Sequence, residues 1–528
     1  MNPVNDGRSA SSHEGAVINL PENPPPPRLS FVRVLIAFAA IAGIAVSAAY
    51  AIGRHTPPAA AAASTPRFAP YVDVTLTPTY PFQNPTVNPV QHVVLGFVVA
   101  QPGHACSPSW GAAYTPAQAE TAMNLDQRIN QVRAQGGVAV ISFGGATNTE
   151  LAVGCDSVSN LAAAYSGLLS RYSSSEADFD IEGSALSDAA ANTRRAEAVA
   201  LVQHTLARHG EHLHVWLTLP VTPDGLTAAG LQAVHAMLAA GVSLSGVNVL
   251  AMDYQPAPAG GARMLATVES SLRHANGQLQ DTGLAHGSGQ AWEHLGVTVM
   301  IGRNDVAGES FTLGDARNLA AFVKSNGIAQ VSMWSLNRDS ECGGVFVQVG
   351  VLSTTCSGVR QTTLEFTHVF LALPGTVTAG GATTAPAWAP PSTAPDNAST
   401  SPYPIWEATS AYPGGYKVVW HRAVYQALWF SQGVAPDTPP SGQSPSPWLL
   451  LGPVLHGEHP PKPTLQATGV NQKWSSSTVY RAGARVLFGG LPFQAKWYSQ
   501  GSAPQTNLPV SPQSPWEPLF SLPGEPTS

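Results

Sequence analysis

The amino-acid sequence predicts an α/β protein, a TIM-type (β/α)8 barrel followed by two small all-β modules and preceded by an apolar segment. Between residues 67 and 373, short β-branched apolar runs alternate with Ala-rich amphipathic stretches. Beyond them, a set of aromatic residues that begins at Trp406 recurs in the same order from Trp474. Alternating strands and helices are typical of parallel sheets covered by helices, and eight repeats in about 300 residues fit a barrel.

The composition indicates a globular unit joined to linkers, without an excess of positive charge. The 528 residues include 25 Lys and Arg against 32 Asp and Glu, so the net charge is −7, and 11% of residues are charged. This balance argues against a basic nucleic-acid-binding protein. Apolar residues make up 44%, enough for a sizeable core, whereas the 49 Gly and 46 Pro indicate linkers. The length exceeds that of one ordinary domain, so several modules are expected.

Residues 34–53 form an uncharged apolar segment that is long enough to cross a bilayer as a helix. Arg28 and Arg33 precede it, which favours a membrane anchor that follows a disordered segment at 1–33. The alternative is a cleaved signal sequence with an AxA-like site at 49–51. A buried core helix is disfavoured because Pro-rich stretches flank the segment on both sides. The anchor and the signal sequence both predict an extracytoplasmic protein.

The predicted barrel spans 67–374 and contains eight candidate strands. These strands are 71–76, 92–100, 137–145, 177–183, 214–221, 246–254, 296–302 and 330–336. Helical candidates between them include 161–172, 194–210 and 319–327, and the last helix is expected at 361–373. Gly210 is expected to cap the second of these helices.

Three acids stand at alternate positions of the fourth strand, Asp178, Asp180 and Glu182. An extended chain projects all three to one face and turns Phe179 and Ile181 toward the helices. In a barrel the acids then point inward, with Glu182 nearest the C-terminal mouth where active sites form. Burial and like-charge repulsion raise the pKa of at least one acid, which provides a general acid near neutral pH. A solvated strand face and a calcium site are the alternatives, which the cost of burying acids without a purpose disfavours.

The barrel region resembles the family 18 glycoside hydrolases, the chitinase family, from end to end. DFDIE at 178–182 is similar to the family's DxDxE signature, and SFGG at 142–145 is similar to its SxGG motif on the third strand. MDY at 252–254 matches the sixth-strand site, and Trp334 matches the eighth-strand aromatic residue. Four motifs in the family's order carry the resemblance.

The resemblance implies substrate-assisted catalysis, in which the N-acetyl carbonyl of the bound sugar attacks its own anomeric carbon. Glu182 would protonate the glycosidic oxygen and then activate the water that opens the oxazolinium intermediate, with retention of configuration. Asp180 would orient the acetamide and stabilise its positive charge, and Asp178 would hold Asp180. Tyr254 would donate a hydrogen bond to the acetamide oxygen. No cofactor and no metal are expected.

The resemblance also places residues around the bound sugar. Trp334 would form the apolar floor, and Met252 and Asp253 would line the wall, although a core position fits these three nearly as well. Only about 28 residues separate strands seven and eight, from Gly302 to Gln330, so the extra α+β insertion of some relatives does not fit. A shallow, open groove is therefore expected.

Asp178, Asp180 and Glu182 together form the acid stripe. The small residues next to this stripe are interpreted as packing residues. Ser142, Gly144 and Gly145 would let the adjacent strands accommodate the carboxylates. The longer family pattern begins DGxDxDxE, whereas this chain has Ser175 and Glu176 at its first two positions. This departure lies outside the acid stripe.

The chain contains four cysteines, Cys106, Cys155, Cys342 and Cys356, without CxxC or Cys/His metal-ligand spacing. In an exported protein an even number of this kind predicts disulfides. The first two lie in the loops after strands two and three, which are neighbours at the barrel mouth, and the last two are close together after strand eight. We therefore predict the pairs 106–155 and 342–356.

A Pro-, Thr- and Ala-rich tract at 375–402 reads as an extended linker and predicts few contacts between the barrel and the modules beyond it. The first module, 403–455, and the second module, 471–523, share ten residues at a constant offset, which indicates an internal duplication. The shared positions are Trp406, Tyr412, Gly415, Val418, Gln426, Ala427, Trp429, Gly433, Pro436 and Trp448, repeated from Trp474 to Trp516.

The modules resemble carbohydrate-binding modules of families 5 and 12, small three-stranded domains that bind chitin. Trp429 with Phe430, and Trp497 with Tyr498, are the predicted surface aromatics that would stack on sugar rings. The alternative is that one Trp of each pair belongs to the core of so small a domain.

The sequence as a whole predicts a chitinase that acts as a monomer on chitin or N-acetylglucosamine oligomers, without a nucleic-acid partner. A non-catalytic chitin-binding lectin on the same barrel is a second hypothesis, although such relatives lack the terminal glutamate. An enzyme acting on glycans or peptidoglycan is a third. The paired modules favour a solid polysaccharide.

Overall fold

The computed structural model describes residues 65–254, 264–284, 291–343, 352–374, 395–439, 445–460, 463–466, 469–470, 472–505, 513–521 and 525. The predicted N-terminal segments, 1–33 and 34–53, lie outside these residues, as does most of the predicted linker. Within the described ranges, no helix combines the length and the apolar character needed to cross a bilayer.

Strands and helices alternate along the barrel region. The strands are β1 (Arg67–Phe68), β2 (Tyr71–Asp73), β3 (His92–Ala100), β4 (Pro108–Trp110), β5 (Val138–Gly144), β6 (Glu176–Asp180), β7 (His214–Thr222), β8 (Gly225–Leu226), β9 (Leu244–Leu250), β10 (Leu295–Met300), β11 (Gly302–Arg303), β12 (Ser310–Phe311) and β13 (Gln330–Trp334). The helices are α1 (Pro116–Met123), α2 (Leu125–Ala134), α3 (Val158–Tyr172), α4 (Gly183–Ser187), α5 (Ala189–Ala207), α6 (Ala228–Ala239), α7 (Met264–Asp281), α8 (Leu313–Asn326) and α9 (Glu365–Leu371). A 3-10 turn spans Leu336–Arg338.

The main sheet is parallel around a closed circuit. The order β3, β5, β6, β7, β9, β10, β13 is connected by parallel pairing throughout. The strands β1 and β2 together close the circuit, because β1 pairs with β13 and β2 pairs with β3. Between these pairs, the amide of Ala69 bonds the Val331 carbonyl and the amide of Val94 bonds the Pro70 carbonyl, both at 2.9 Å. This pairing confirms the predicted barrel.

Two predicted details of the barrel elements were wrong. The fourth strand ends at Asp180, and Glu182 follows as an extended residue at the N-terminus of α4. The predicted sixth strand, 246–254, is also too long, because β9 ends at Leu250.

Gly210 caps α5 as predicted: its φ is 76°, its amide donates to the Ala207 carbonyl at 3.1 Å, and the Glu211 amide donates to the Leu206 carbonyl at 3.0 Å. Gly327 likewise ends α8 with a φ of 72°, as glycine favours.

Apolar side chains fill the layer between the strands and the helices. Phe179 of β6 stacks on Phe143 of β5 at 5.2 Å and meets Tyr165 of α3 edge-on at 5.2 Å. Ile181 is fully buried in the same cluster. These residues face the helices, as the alternation of the strand predicts, so the acids of the same strand face the barrel interior.

Both predicted disulfides are present. Cys106 pairs with Cys155, and Cys342 pairs with Cys356, with Cα atoms 4.4 Å and 5.1 Å apart. They join the loops after two neighbouring strands and close the loop after β13.

The first module contains β14 (Ala411–Tyr412), β15 (Lys417–Trp420), β16 (Ala423–Ala427), β17 (Ser431–Gln432) and β18 (Trp448–Pro453), of which β15, β16 and β18 form an antiparallel sheet. After β19 (Thr464–Leu465), the second module contains β20 (Arg485–Phe488), β21 (Leu491–Ala495), β22 (Trp516–Pro518) and β23 (Phe520–Ser521). The strands β20 and β21 repeat β15 and β16 at the predicted offset. Tyr412 packs against Trp448 at 5.3 Å, and Tyr480 packs against Trp516 at 5.2 Å, which confirms the duplication at the level of the core.

The first module packs on the barrel, contrary to the expectation of few contacts. Gln83 donates to the Leu450 carbonyl of β18 at 3.0 Å, and just beyond the module Glu458 accepts a hydrogen bond of 2.7 Å from Gln127 of α2. A Cβ on Gly452 would lie 2.1 Å from the Gln127 carbonyl oxygen, so this contact requires glycine. The composition of a linker indicates how flexible it is. It does not indicate whether the domains that it connects pack against each other.

Candidate active site

The acid stripe lies in the barrel interior at the end of β6. Asp178 and Asp180 are 3% and 2% exposed, whereas Glu182 is only partly buried at the mouth. The exposure to solvent therefore increases along the stripe, from Asp178 and Asp180 in the barrel interior to Glu182 at the mouth. The order predicted from the sequence is retained, even though Glu182 lies beyond the last strand residue.

Three hydroxyl groups from three other strands surround Asp178. Tyr71 and Ser142 donate to Oδ2 at 2.8 Å and 2.7 Å, and Thr218 donates to Oδ1 at 2.5 Å. Burial raises the pKa of Asp178, and these three hydrogen bonds oppose that rise. A carboxyl group that accepts three hydrogen bonds is best satisfied as a carboxylate. Of the two neighbouring acids Asp178 and Asp180, Asp178 therefore carries the negative charge.

Asp180 differs from Asp178 in its hydrogen bonding. Its Oδ1 has no hydrogen-bond partner although it is buried. Burial, followed by the charges of Glu182 and Asp178, raises the pKa of Asp180 well above its ordinary value. In the free protein the proton of the pair therefore lies on Asp180, and its unpartnered oxygen is available to a bound molecule.

The polar network continues around the barrel interior. Asn248 of β9 donates to Thr218 at 3.1 Å and to Thr298 of β10 at 2.7 Å. The Tyr71 hydroxyl lies 3.2 Å from the Thr218 hydroxyl. Sequence reasoning did not identify Tyr71, Thr218, Asn248 or Thr298. The signal that could have found the last three is a single polar residue at an inward position of an otherwise apolar strand.

The small residues of the SFGG motif have two different roles. Ser142 holds Asp178 through a hydrogen bond, which goes beyond the packing role predicted for it. A Cβ on Gly144, whose φ is 109°, would lie 2.0 Å from the Asp180 carbonyl oxygen. A Cβ on Gly145 would lie 2.7 Å from the ring of Phe97. Gly144 therefore allows β5 to approach β6 closely, as predicted, and Gly145 makes room for the Phe97 ring, which was not predicted.

Glu182 and Asp253 form an acidic pair at the mouth. Burial and then the charge of Asp253 raise the pKa of Glu182 to about 7. Asp253 adopts a φ of 50° and accepts a hydrogen bond of 3.0 Å from the backbone amide of Asp305. Glu182 is thus protonated over part of the neutral range, which is the state that a general acid needs.

A cluster of three aromatic rings lies in the barrel interior beside the acids. Trp334 at the end of β13 is partly exposed and stacks on Phe97 at 5.5 Å with an interplanar angle of 20°. Tyr71 contacts both rings at 5.8 Å and 6.1 Å. Phe97 was not identified from the sequence. Met252 is partly exposed beside Asp253.

Tyr254 is 2% exposed and belongs to the main apolar cluster. Its hydroxyl lies 3.0 Å from the Ser271 hydroxyl of α7, and burial raises its pKa. The predicted contact with an acetamide oxygen therefore requires that the hydroxyl turn away from Ser271, and this role remains a prediction.

The mouth has short walls between β10 and β13. The chain there forms the hairpin β11–β12 followed directly by α8, with no α+β insertion in this fully described stretch. In the described part of the chain, no group of three or more His, Cys, Asp or Glu side chains is arranged to hold a metal ion.

The predicted module aromatics are exposed. Trp429 and Phe430 are 45% and 64% exposed, and Trp497 and Tyr498 are 45% and 62% exposed. The module cores use other rings, Trp448 and Trp516 among them. The alternative that one Trp of each predicted pair belongs to the core was therefore wrong.

Comparisons with known proteins agree with the geometry of the barrel. No protein-family model matches the chain. The probable bifunctional chitinase/lysozyme of Escherichia coli (strain K12) is 35% identical over 285 residues, which are 52% of this chain and 31% of that protein. Endochitinase 11 of Metarhizium anisopliae is 33% identical over 286 residues, 52% of this chain and 52% of that protein. The chain thus spans about a third to a half of the length of these curated relatives.

A solved structure with similarity to this chain is the catalytic domain of the hyperthermophilic chitinase from Pyrococcus furiosus. It matches with a TM-score of 0.50 and 25% identity, over 58% of this chain and 96% of that chain. The barrel domain is homologous to chitinases. The barrel is therefore chitinase-like in both sequence and fold. A related Pyrococcus furiosus structure, of catalytic site mutants of active domain 2, holds chito-oligosaccharides, and its similarity to the chitinase-like barrel is the same.

Proposed function

We propose that the barrel hydrolyses β-1,4 linkages between N-acetylglucosamine residues of chitin. The observation that carries this proposal is the division of roles among the acids of one stripe. Glu182 has a pKa of about 7 at the mouth, Asp180 holds a proton on a buried carboxyl, and Asp178 is a carboxylate fixed by three hydroxyls. A binding protein has no need of a titrating acid at the mouth.

The proposed reaction is substrate-assisted and retaining. Glu182 gives its proton to the glycosidic oxygen as that bond breaks, while the acetamide carbonyl oxygen of the same sugar bonds to the anomeric carbon. When the sugar binds, Asp180 passes its proton to Asp178, and its carboxylate accepts a hydrogen bond from the acetamide N–H and stabilises the positive charge of the oxazolinium ion, with Asp178 holding Asp180 in place. Glu182 then removes a proton from the water that attacks the anomeric carbon.

The remaining site residues shape the sugar subsite. Trp334 and Phe97 provide an apolar floor, and Met252 and Asp253 line the wall beside Glu182. Tyr254 completes the subsite if its hydroxyl leaves Ser271 for the acetamide oxygen. The short walls around β11 and β12 favour an open groove, and an open groove favours cleavage within a chain rather than at its end.

The modules are proposed to bind chitin through the pairs Trp429–Phe430 and Trp497–Tyr498. Exposed rings of this size match the apolar faces of sugars, and two linked sites gain avidity on a repetitive solid. We further propose that the protein acts as a monomer outside the cytoplasm, anchored by 34–53 or secreted after its cleavage. The two disulfides support an oxidising compartment.

Release of reducing ends from soluble chitin oligomers, compared between the wild type and Glu182→Gln, tests the proposal. The substitution removes the transferable proton with almost no change in volume, so hydrolysis should be abolished while chitin binding persists. Glu197→Gln, at an exposed position of α5, is the matched control and should retain wild-type turnover. A Glu182→Gln rate within about tenfold of the wild type would overturn the assignment of the general acid.

The name of the Escherichia coli relative makes peptidoglycan the second substrate to test. Cleavage of peptidoglycan by the wild type, with no reducing ends from chitin oligomers, would replace the proposed substrate. Binding of chitin without hydrolysis of either substrate would indicate a lectin.

A further inference from the structure

A polar cavity lies where the first module packs on the barrel, away from the acid stripe. Its volume is about 160 Å³, and its lining includes Gln83, Asn124 and Arg128 from the barrel and Lys417 and Gln426 from the first module. A single water needs only about 10–15 Å³ of such space, so the cavity has room for a molecule of several atoms. Nothing in the proposed reaction uses it.

Two buried cations face this cavity. Arg128 of α2 is 2% exposed, and Lys417 of β15 is 8% exposed. Within the described residues, no carboxylate oxygen lies within 4.0 Å of either cation. The Phe82 ring lies 4.4 Å from the Arg128 guanidinium and the Tyr403 ring lies 5.3 Å from the Lys417 ammonium, but neither ring carries a net negative charge. An anion in the cavity would therefore stabilise both buried cations.

The hydrogen bonds of these cations leave donors for a ligand. Arg128 donates from Nε to Gln83 at 2.9 Å and from Nη2 to the Tyr80 carbonyl, but its buried Nη1 has no partner. Lys417 donates to Asn124 at 2.7 Å, which occupies one of its three N–H groups. The unused donors therefore come from both sides of the interface.

The acids of this region are weak counter-ions. Glu120 acts on both cations, but its Oε2 already accepts the Asp126 amide at 2.7 Å, and burial raises its pKa to about 7. Glu458 is engaged by Gln127 at 2.7 Å, and burial raises its pKa too. Burial lowers the pKa of Arg128 to about 9 and also lowers that of Lys417, as expected for cations that lack a full counter-charge.

We propose that this cavity is a binding site for a tetrahedral oxyanion of the size of phosphate or sulfate. The anion is held by Arg128 of the barrel and Lys417 of the first module, so it joins the two parts. A chitin chain does not fit this chemistry, because N-acetylglucosamine is neutral and its deacetylated form is a cation. The bound anion therefore fixes the first module on the barrel independently of substrate.

The test uses the full chain and calorimetric titration with inorganic phosphate and, separately, sulfate in a chloride buffer of constant ionic strength. The wild type should bind one anion with a Kd of about 1 mM or tighter. Lys417→Gln should weaken the binding at least tenfold, about the effect of removing one charge-assisted hydrogen bond. Arg485→Gln is the matched control, because Arg485 occupies the equivalent position of the second module and is exposed. Its affinity should equal that of the wild type.

The melting temperature gives a second measurement. Phosphate and sulfate stabilise proteins in general, so the expected result is a saturable additional rise in the wild type and in Arg485→Gln that Lys417→Gln lacks. An absence of saturable binding to the unmodified protein would overturn the proposal even if Lys417→Gln fails to fold. Equal affinity in Lys417→Gln and the wild type would also overturn it. Neither readout depends on hydrolysis, so the result is independent of the proposed function.

Discussion

Asp253 follows β9 and raises the pKa of Glu182, which follows β6, through its negative charge. A backbone hydrogen bond from Asp305 to Asp253 fixes the position of that charge. The pKa of Glu182 is about 7, so the proposed general acid is protonated below neutrality and loses its proton as the pH rises through 7.

Asp253→Asn should therefore shift the pH dependence of hydrolysis to lower pH. Wild-type kcat/KM should fall as the pH rises through about 7, because the protonated form of free Glu182 disappears there. Without the neighbouring charge the pKa of Glu182 falls, so the alkaline limb moves toward acid. The measurement is kcat/KM on a soluble oligomer from pH 4 to 9, scanned in steps of roughly half a unit. An unchanged alkaline limb would show that the charge of Asp253 does not act on Glu182.

Asp180→Asn should lower kcat by about 10²- to 10³-fold, with little effect on KM. The amide keeps the size of the carboxyl but cannot develop the charge that stabilises the oxazolinium ion. Glu197→Gln again serves as the control on an exposed position. A change confined to KM would assign Asp180 to ground-state binding and contradict its proposed role.

Glu176→Gln should destabilise the barrel by about 3 kcal/mol at pH 7. Burial alone would raise the pKa of Glu176, but the polar contact with His92 Nε2 at 3.4 Å and the charge of Arg67, 2.8 Å away, lower it to about 2. Burial also lowers the pKa of His92, so Arg67 is the permanent cation of this group.

The stabilisation by Glu176 has a defined pH window. Because the pKa is lower in the folded state, the contribution is present above the ordinary glutamate pKa of about 4.3 and is lost as the pH falls to about 2. Calorimetric melting of the wild type and Glu176→Gln should give curves that converge across this range. A constant difference between them from pH 7 to the acid end would contradict the ionic explanation.

Trp429→Ala combined with Trp497→Ala should weaken binding of the full chain to insoluble chitin by about 10²-fold or more, because both sites of an avid pair are lost. Hydrolysis of soluble oligomers should be unchanged. Leu201→Ala, which removes an apolar side chain of 44% exposure from α5, is the control for general surface effects. Circular dichroism should show that the modules remain folded. Undiminished chitin binding would assign the exposed rings to another partner.

The sequence alone determined the order of the elements and the residues that carry chemistry. Alternation within β6 placed Asp178 and Asp180 inside and Phe179 outside, and this follows from the local geometry of any extended chain. The 106–155 disulfide followed from strand order and the 342–356 disulfide from closeness in sequence. The duplication of the modules followed from a constant offset between Trp406 and Trp474.

The tertiary structure decided which distant groups meet. Tyr71, Ser142 and Thr218 come from three strands, and only the register of the closed sheet brings their hydroxyls to Asp178. Tyr254 was predicted as the last residue of its strand, but β9 ends at Leu250, and the partner of Tyr254 on α7 depends on how that helix packs. The contact of the first module with α2 was missed, because the packing of two folded surfaces depends on their shapes and not on the composition of the linker between them.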